Sequence, residues 1–127
     1  MLKLLVTDLD GTLLKIGNEL SAGISDENRE ALTAFVNEGG HVAIASSRGA
    51  DAQTLISGLL GVPVAAIGMN GFIILNEDGE KINEHWMEFD DFAELAEFIQ
   101  KHRINGSLIT RGDDGGSYGF GSEATYP

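Results

Sequence analysis

The chain has no cysteine, and that absence removes several chemistries at once. Disulfides, thiolate zinc sites and a cysteine nucleophile are excluded, and the composition is compatible with a reducing cytoplasm. Any catalysis must use oxygen or nitrogen groups. Basic residues are scarce as well: 8 Lys and Arg stand against 20 Asp and Glu, for a formal net charge of −12. Such a chain repels nucleic-acid phosphates and anionic membranes unless a basic patch offsets the charge locally, and no patch is visible. The densest basic group, Lys101, His102 and Arg103, falls where a helix should end and complements its dipole there. Long apolar runs are missing too. The opening "MLKLLVTDLD" meets two carboxylates too soon for a signal peptide or a membrane span. The reading is a cytoplasmic protein with neither nucleic acid nor membrane as partner. No internal repeat is visible, and His41, His85 and His102 have no metal-ligand spacing between them.

What is present is 127 residues, 43% of them apolar, enough for one small soluble unit with a core. Residues 2–7, "LKLLVT", are β-compatible, apolar and too short for a helix, which predicts a buried strand. After a loop with Gly17, Asn18 and Gly23, Ser25 caps an expected helix with Asp26 and Glu27 in its first turn. Leu32, Phe35 and Val36 share one face of it, and Gly39-Gly40 ends it. Residues 41–45 predict a second buried strand. Residues 50–60 predict a second helix with Ala52, Leu55, Ile56 and Leu59 on one side and Gly61 as its stop; residues 64–67 are a third strand. Strand, helix, strand, helix, strand is the pattern of a parallel sheet with right-handed crossovers, half of a doubly wound α/β fold. Such sheets bind ligands at the carboxyl ends of their strands, where Asp8, Ser46 and Asn70 fall.

Beyond Asn70-Gly71, "FIILNEDGEKINEHWM" predicts a β-hairpin turning around residues 76–79. Residues 91–103 predict an amphipathic helix and "SLITR" a short strand, while the Gly- and Ser-rich end, "GDDGGSYGFGSEATYP", has no periodicity and should be mobile. Trp86, Phe89 and Phe92 are expected in core packing rather than on a substrate-selecting surface. Arg111-Gly112-Asp113 and the sequon Asn105-Gly106-Ser107 read as ordinary solvated loop.

Asp8 and Asp10 carry the chemistry. Residues two apart in extended backbone point to the same side, so both carboxylates face one small volume beyond the first strand. Two carboxylates in one place repel, and they need a cation or a shared proton. Magnesium, which favours carboxylate and water oxygens and engages phosphates, suits the pair. One aspartate could attack phosphorus while the other works as acid and base. Gly11 lets the chain turn and its amide approach an anion. A calcium loop is the competing reading of Asp-x-Asp-Gly. Counted from Asp8, Glu19 stands at the twelfth position as required, but Leu13 occupies the sixth, where glycine is required.

"LLVTDLDGTLL" resembles the first motif of the haloacid dehalogenase (HAD) superfamily, and "VAIASSR" resembles the second. The second takes the form seen in Cof-like phosphatases and the related sugar-phosphate and phosphoglycolate phosphatases. "IGMNGFIILNEDGEKI" resembles the segment that follows in the same subgroup, and the likeness covers nearly the whole chain. It implies a Rossmann-like α/β half-core over residues 1–84, with a parallel sheet and a β-hairpin, and the beginning of an α/β cap over residues 85–127. It implies that Asp8 is the nucleophile that becomes an aspartyl-phosphate and also ligates Mg2+. Asp10 would protonate the leaving alcohol and then activate water, its backbone carbonyl on the metal. Ser46 would hydrogen-bond the phosphoryl group, with Arg48 and Asn70 in phosphate or substrate contacts.

The superfamily's third motif, a lysine, and its fourth, an acidic cluster, are not recognisable. Lys81 and Lys101 lie in the hairpin and the helix, and Asp113-Asp114 follows no core strand. The resemblance thus implies the N-terminal portion of a phosphatase of small phosphorylated metabolites, weak or inactive alone. Self-association through an unpaired sheet edge is expected. The alternative is a non-catalytic phosphate-binding or interaction module of the same fold; a mutase or phosphonatase is a third reading.

Overall fold

The computed structural model describes residues 3–14, 23–111 and 117–121. The chain divides into two compact units, Met1–His85 and Trp86–Pro127. The expected loop around Gly17 and Asn18, and the acidic pair Asp113-Asp114, lie outside the described residues.

The first unit is built on a five-stranded sheet. Strands β1 (Leu4–Thr7), β2 (His41–Ala45) and β3 (Ala65–Gly68) run parallel, with β4 (Ile73–Leu75) and β5 (Lys81–Glu84) added antiparallel in spatial order β1-β2-β3-β4-β5. Helix α1 (Asp26–Asn37) crosses from β1 to β2, and α2 (Asp51–Leu60) from β2 to β3. Parallel neighbours require such crossovers, because a tight turn can only return the chain antiparallel. The hairpin of β4 and β5 turns at residues 76–80, where the Asn76 side-chain oxygen accepts from the Asp78 and Glu80 N–H groups.

The helix boundaries follow local chemistry. Ser25 caps α1, its hydroxyl accepting from Asn28 N–H, and Asp26 in the first turn pairs with Arg29. Gly61 ends α2 at φ +70, donating to the Ser57 carbonyl. Leu32, Ile56 and Leu60 pack with Val42, Ile44 and Ala66 of the sheet and with Val64 just before β3, and Leu9 and Leu14 join the same core. Burying each Ile, Leu or Val removes it from water for about 1.5–3 kcal/mol, so this cluster dominates the stability of the unit.

Three expectations are corrected. The first strand is not buried: Leu4, Leu5 and Val6 are 56%, 36% and 51% exposed, because among the described residues β1 lies at the edge of the sheet and pairs with β2 alone. On α2 Leu55 faces outward, and Gln53 is buried instead. Its amide donates to the Val64 carbonyl at 2.8 Å, which supplies the partner a buried polar group requires.

The third falls in the second unit. It contains α3 (Phe89–His102) and an antiparallel pair, β6 (Ser107–Arg111) with β7 (Ser117–Gly121). Helix α3 carries Asp90 and Asp91 in its first turn and Lys101 and His102 in its last, both complementing its dipole. Phe89, expected in a core, is 79% exposed. Within the Gly- and Ser-rich end, where apolar periodicity marks no element, residues Ser117–Gly121 form β7. Its five residues all pair with β6, so main-chain hydrogen bonding supplies the order that apolar periodicity does not. Among the described residues no helix is long and apolar enough to cross a membrane.

Candidate active site

Because β1, β2 and β3 are parallel and adjacent, their carboxyl ends open on the same edge of the sheet. Asp8 follows β1, Ser46 follows β2 and Asn70 lies just past β3. The three meet in one cleft of about 420 Å³, lined by Asp8, Ala45, Ser46, Ser47, Ile67 and Asn70. Larger hollows of about 620 Å³ on α2 and 490 Å³ beside the 76–79 turn lie away from these strand ends.

The first loop answers why two carboxylates stand one residue apart. Leu9, between them, is fully buried, and that anchor turns Asp8 and Asp10 outward, where both are exposed. A tight set of backbone bonds fixes the turn: Thr12 N–H and Leu14 N–H donate to the Leu9 carbonyl at 3.2 and 2.7 Å, and Leu13 N–H to the Asp8 carbonyl at 3.3 Å. Gly11 sits at φ +83, which its missing Cβ permits. Its N–H donates to the Leu14 carbonyl at 2.8 Å. Gly11 therefore serves the turn in this structure. The Thr12 hydroxyl donates to Asp8 Oδ2 at 3.2 Å, while Oδ1 has no hydrogen-bond partner among the described residues.

Ser46 is 8% exposed. Its Oγ accepts the Arg48 N–H at 3.1 Å. A hydroxyl carries one proton to donate, and here its acceptor side is engaged, so that proton is what Ser46 can offer to an anion. Past β3, Met69, Asn70 and Gly71 have φ of +51, +56 and +99. Two consecutive non-glycine residues in the left-handed region are strained, and such strain persists only where surrounding bonds hold it. Here Met69 N–H donates to the Arg48 carbonyl at 2.8 Å and Asn70 N–H to the Ser46 carbonyl at 3.1 Å. The turn after β3 thereby grips the loop after β2 and brings Asn70 into the cleft.

Arg48, expected in phosphate or substrate contacts, pairs with Asp10 in this structure. Nε donates to Asp10 Oδ2 at 2.8 Å and Nη2 to Oδ1 at 2.6 Å, a two-pronged pairing of planar groups. The hydrogen bonds from Arg48 hold the Asp10 carboxyl below the usual aspartate range, and the same contact raises the Arg48 guanidinium. Sequence reasoning did not see this pair: its members are 38 residues apart, and nothing local in either segment signals the contact.

The donor chemistry suits a hard cation in kind but not in number. Asp8 offers a carboxylate oxygen, and Asp10 offers its backbone carbonyl while each of its carboxylate oxygens accepts one hydrogen bond from Arg48. Among the described residues no group of three or more His, Cys, Asp or Glu side chains could hold a metal ion. Magnesium requires near-octahedral oxygen ligation, and these residues alone do not make up that set. Lys81 on β5 pairs with Glu84 at 2.7 Å.

None of the curated proteins matches the chain, but solved structures do. A phosphatase of the haloalkanoate (HAD) enzyme superfamily from Bacteroides thetaiotaomicron superposes with a TM-score of 0.71 at 23% identity, over 94% of this chain and 41% of its own. A haloacid dehalogenase-like hydrolase from the same organism gives 0.68 at 27% identity, over 88% and 42%. One from B. subtilis gives 0.70 at 23%, over 87% and 37%. The chain thus spans about two fifths of the length of these structures. Residues 5–121 match the haloacid dehalogenase-like hydrolase family, and the chain belongs to that family.

Proposed function

We propose that the chain carries the nucleophile half of a cytoplasmic, magnesium-dependent phosphatase acting on a small phosphorylated metabolite such as a sugar phosphate or phosphoglycolate. Residues 1–84 are the catalytic-core part and residues 85–127 the beginning of a substrate-selecting cap. The observation that carries this reading is the convergence of Asp8, Ser46 and Asn70 in one cleft at the carboxyl ends of three parallel strands.

In this reading Asp8 Oδ1 attacks phosphorus in line with the ester oxygen, forming an aspartyl-phosphate as the P–O bond to the alcohol breaks. Asp10, an ionised carboxylate while Arg48 holds it, takes up a proton as the ester enters and passes it to the departing alcohol. It then takes a proton from the water that attacks the aspartyl-phosphate, and inorganic phosphate leaves with Asp8 restored. Ser46 donates its hydroxyl proton to a phosphoryl oxygen, and the Asn70 side-chain amide offers a second donor from the opposite strand end. Magnesium, bound by Asp8 and the Asp10 backbone carbonyl with water, phosphate and further ligands, would neutralise phosphate charge. Because the described residues supply only part of that ligand set, turnover by this chain alone is expected to be weak or nil.

A test that does not need turnover is the beryllofluoride adduct, which mimics an aspartyl-phosphate. With magnesium, fluorine NMR of the chain is expected to show a bound resonance that Asp8→Asn abolishes. A resonance that survives in Asp8→Asn contradicts the assignment of the nucleophile. No adduct together with phosphate binding at Ser46 and Asn70 supports the second reading, a phosphate-binding module without chemistry, which the exposed arginine-bound state of Asp10 favours.

A further inference from the structure

The Arg48–Asp10 pair is unusual in what it joins. Asp10 belongs to a loop fixed by Leu9 and Leu14 in the core, and Arg48 to a loop fixed by the turn after β3. Arg48 is anchored at both ends of its own backbone: its N–H donates to Ser46 Oγ at 3.1 Å and its carbonyl accepts from Met69 N–H at 2.8 Å. The same carbonyl sits so close to Gly68 that a Cβ there would lie 3.2 Å from it. The root of the arginine is therefore set by rigid surroundings, and the guanidinium reaches Asp10 from a fixed base. The two contacts use one edge of the guanidinium, Nε with Nη2, and engage both carboxylate oxygens. A single contact leaves a carboxylate free to rotate, whereas a forked pair fixes its plane and its side-chain rotamer.

We propose that Arg48 is a positioning residue for Asp10, holding the acid/base carboxylate in one orientation relative to Asp8, and is not a ligand of the transferred phosphate. This rests on the phosphatase reading for the role of Asp10 and not for the existence of the clamp. An acid/base group contributes only when it meets the ester oxygen in reach and in line. Asp10 has no second side-chain hydrogen bond among the described residues that could orient it. Lysine in place of Arg48 would keep the charge and lose the fork.

The experiment is NMR of the whole labelled chain, wild type beside Arg48→Lys, Arg48→Ala and Asp10→Asn, with the amide resonances of Leu9 and Leu14 reporting that each variant is folded. Three-bond couplings to Asp10 Cγ are expected to show one side-chain rotamer in the wild type and an average of rotamers in both Arg48 variants. The Arg48 Nε–H resonance is expected to exchange with water at least about tenfold faster in Asp10→Asn. It should stay in place when inorganic phosphate and magnesium are added. An Asp10 rotamer that stays fixed in folded Arg48→Lys overturns the proposal. So does an Arg48 Nε–H resonance that persists in Asp10→Asn and follows phosphate, which would make Arg48 a phosphate ligand. Phosphate that shifts no resonance of Asp8, Ser46 or Asn70 counts against the phosphatase reading alone, because the rotamer of Asp10 is read without it.

Discussion

Strands β1 and β2 lie side by side in parallel register, Leu5 against Val42 and Thr7 against Ile44, yet their surroundings are opposite. Val42 and Ile44 are 0% and 1% exposed, with strands on both edges and the core cluster against them. Leu4 and Val6, on one face of β1, and Leu5 on the other are all open. The two strands have similar apolar content, so composition does not tell a covered strand from an uncovered one. Composition reports what a strand can bury; the neighbours decide what it does bury. Both strands nevertheless end in the same way, in a loop pinned by main-chain bonds that presents polar groups to one cleft. The geometry of the site depends on those loops, and they are anchored in the buried part of the sheet.

The contrast is sharpest in stability. Ile44→Ala deletes a fully buried side chain and leaves a cavity, and should cost about 2–5 kcal/mol, read as a lower midpoint in urea unfolding. Val6→Ala, one strand away, should cost less than about 0.5 kcal/mol. Equal losses would mean that β1 is covered in solution. The next effect is at Gly68, where a Cβ would meet Ile73 Cγ2 at 3.0 Å and the Arg48 carbonyl at 3.2 Å. Gly68→Ala should cost about 1–3 kcal/mol and disturb the Ser46 and Asn70 amide resonances together. Removing the α1 cap with Ser25→Ala should cost about 1 kcal/mol without touching the cleft.

Smaller still is the effect of pH on the Arg48–Asp10 clamp. Because Arg48 lowers the Asp10 pKa in the folded chain, the pair contributes stability above the ordinary aspartate range and loses it as pH falls through the depressed value. An acid titration of the Asp10 carboxyl carbon should therefore have its midpoint below that of an aspartate in the urea-unfolded chain, and Arg48→Ala should bring the two together. The edge itself supplies the weakest test. Sedimentation should show association that rises with concentration and is reduced by Val6→Lys, since a charge on an open edge strand opposes pairing with a second copy. Association untouched by that substitution would place it elsewhere.

Much of the fold was legible because local rules and packing agree over most of the first unit. Ser25, Gly61 and the 76–79 turn each mark an element end by a bond the structure contains. The meeting of Asp8, Ser46 and Asn70 was legible from strand order alone, since parallel strands share a carboxyl edge. What was not legible depends on long-range contact. The exposure of β1 is a property of its place at the edge of the described sheet, and the Arg48–Asp10 fork joins residues that only the tertiary fold brings together. Strand β7 was missed because its stability lies in main-chain pairing with β6, which leaves no apolar period in "SYGFG". Met69 was missed because no side-chain preference announces a left-handed methionine; its conformation is imposed by the Arg48 carbonyl.

The central claim is that the carboxyl ends of β1, β2 and β3 form one phosphate site. The most direct test is an amide NMR titration of the chain with inorganic phosphate in the presence of magnesium. The account predicts that the largest shifts fall together on Asp8–Gly11, Ser46–Arg48 and Asn70–Gly71, with the 76–79 turn at the other end of the sheet unmoved. Shifts at that turn, or on one of the three strand ends without the others, would contradict it.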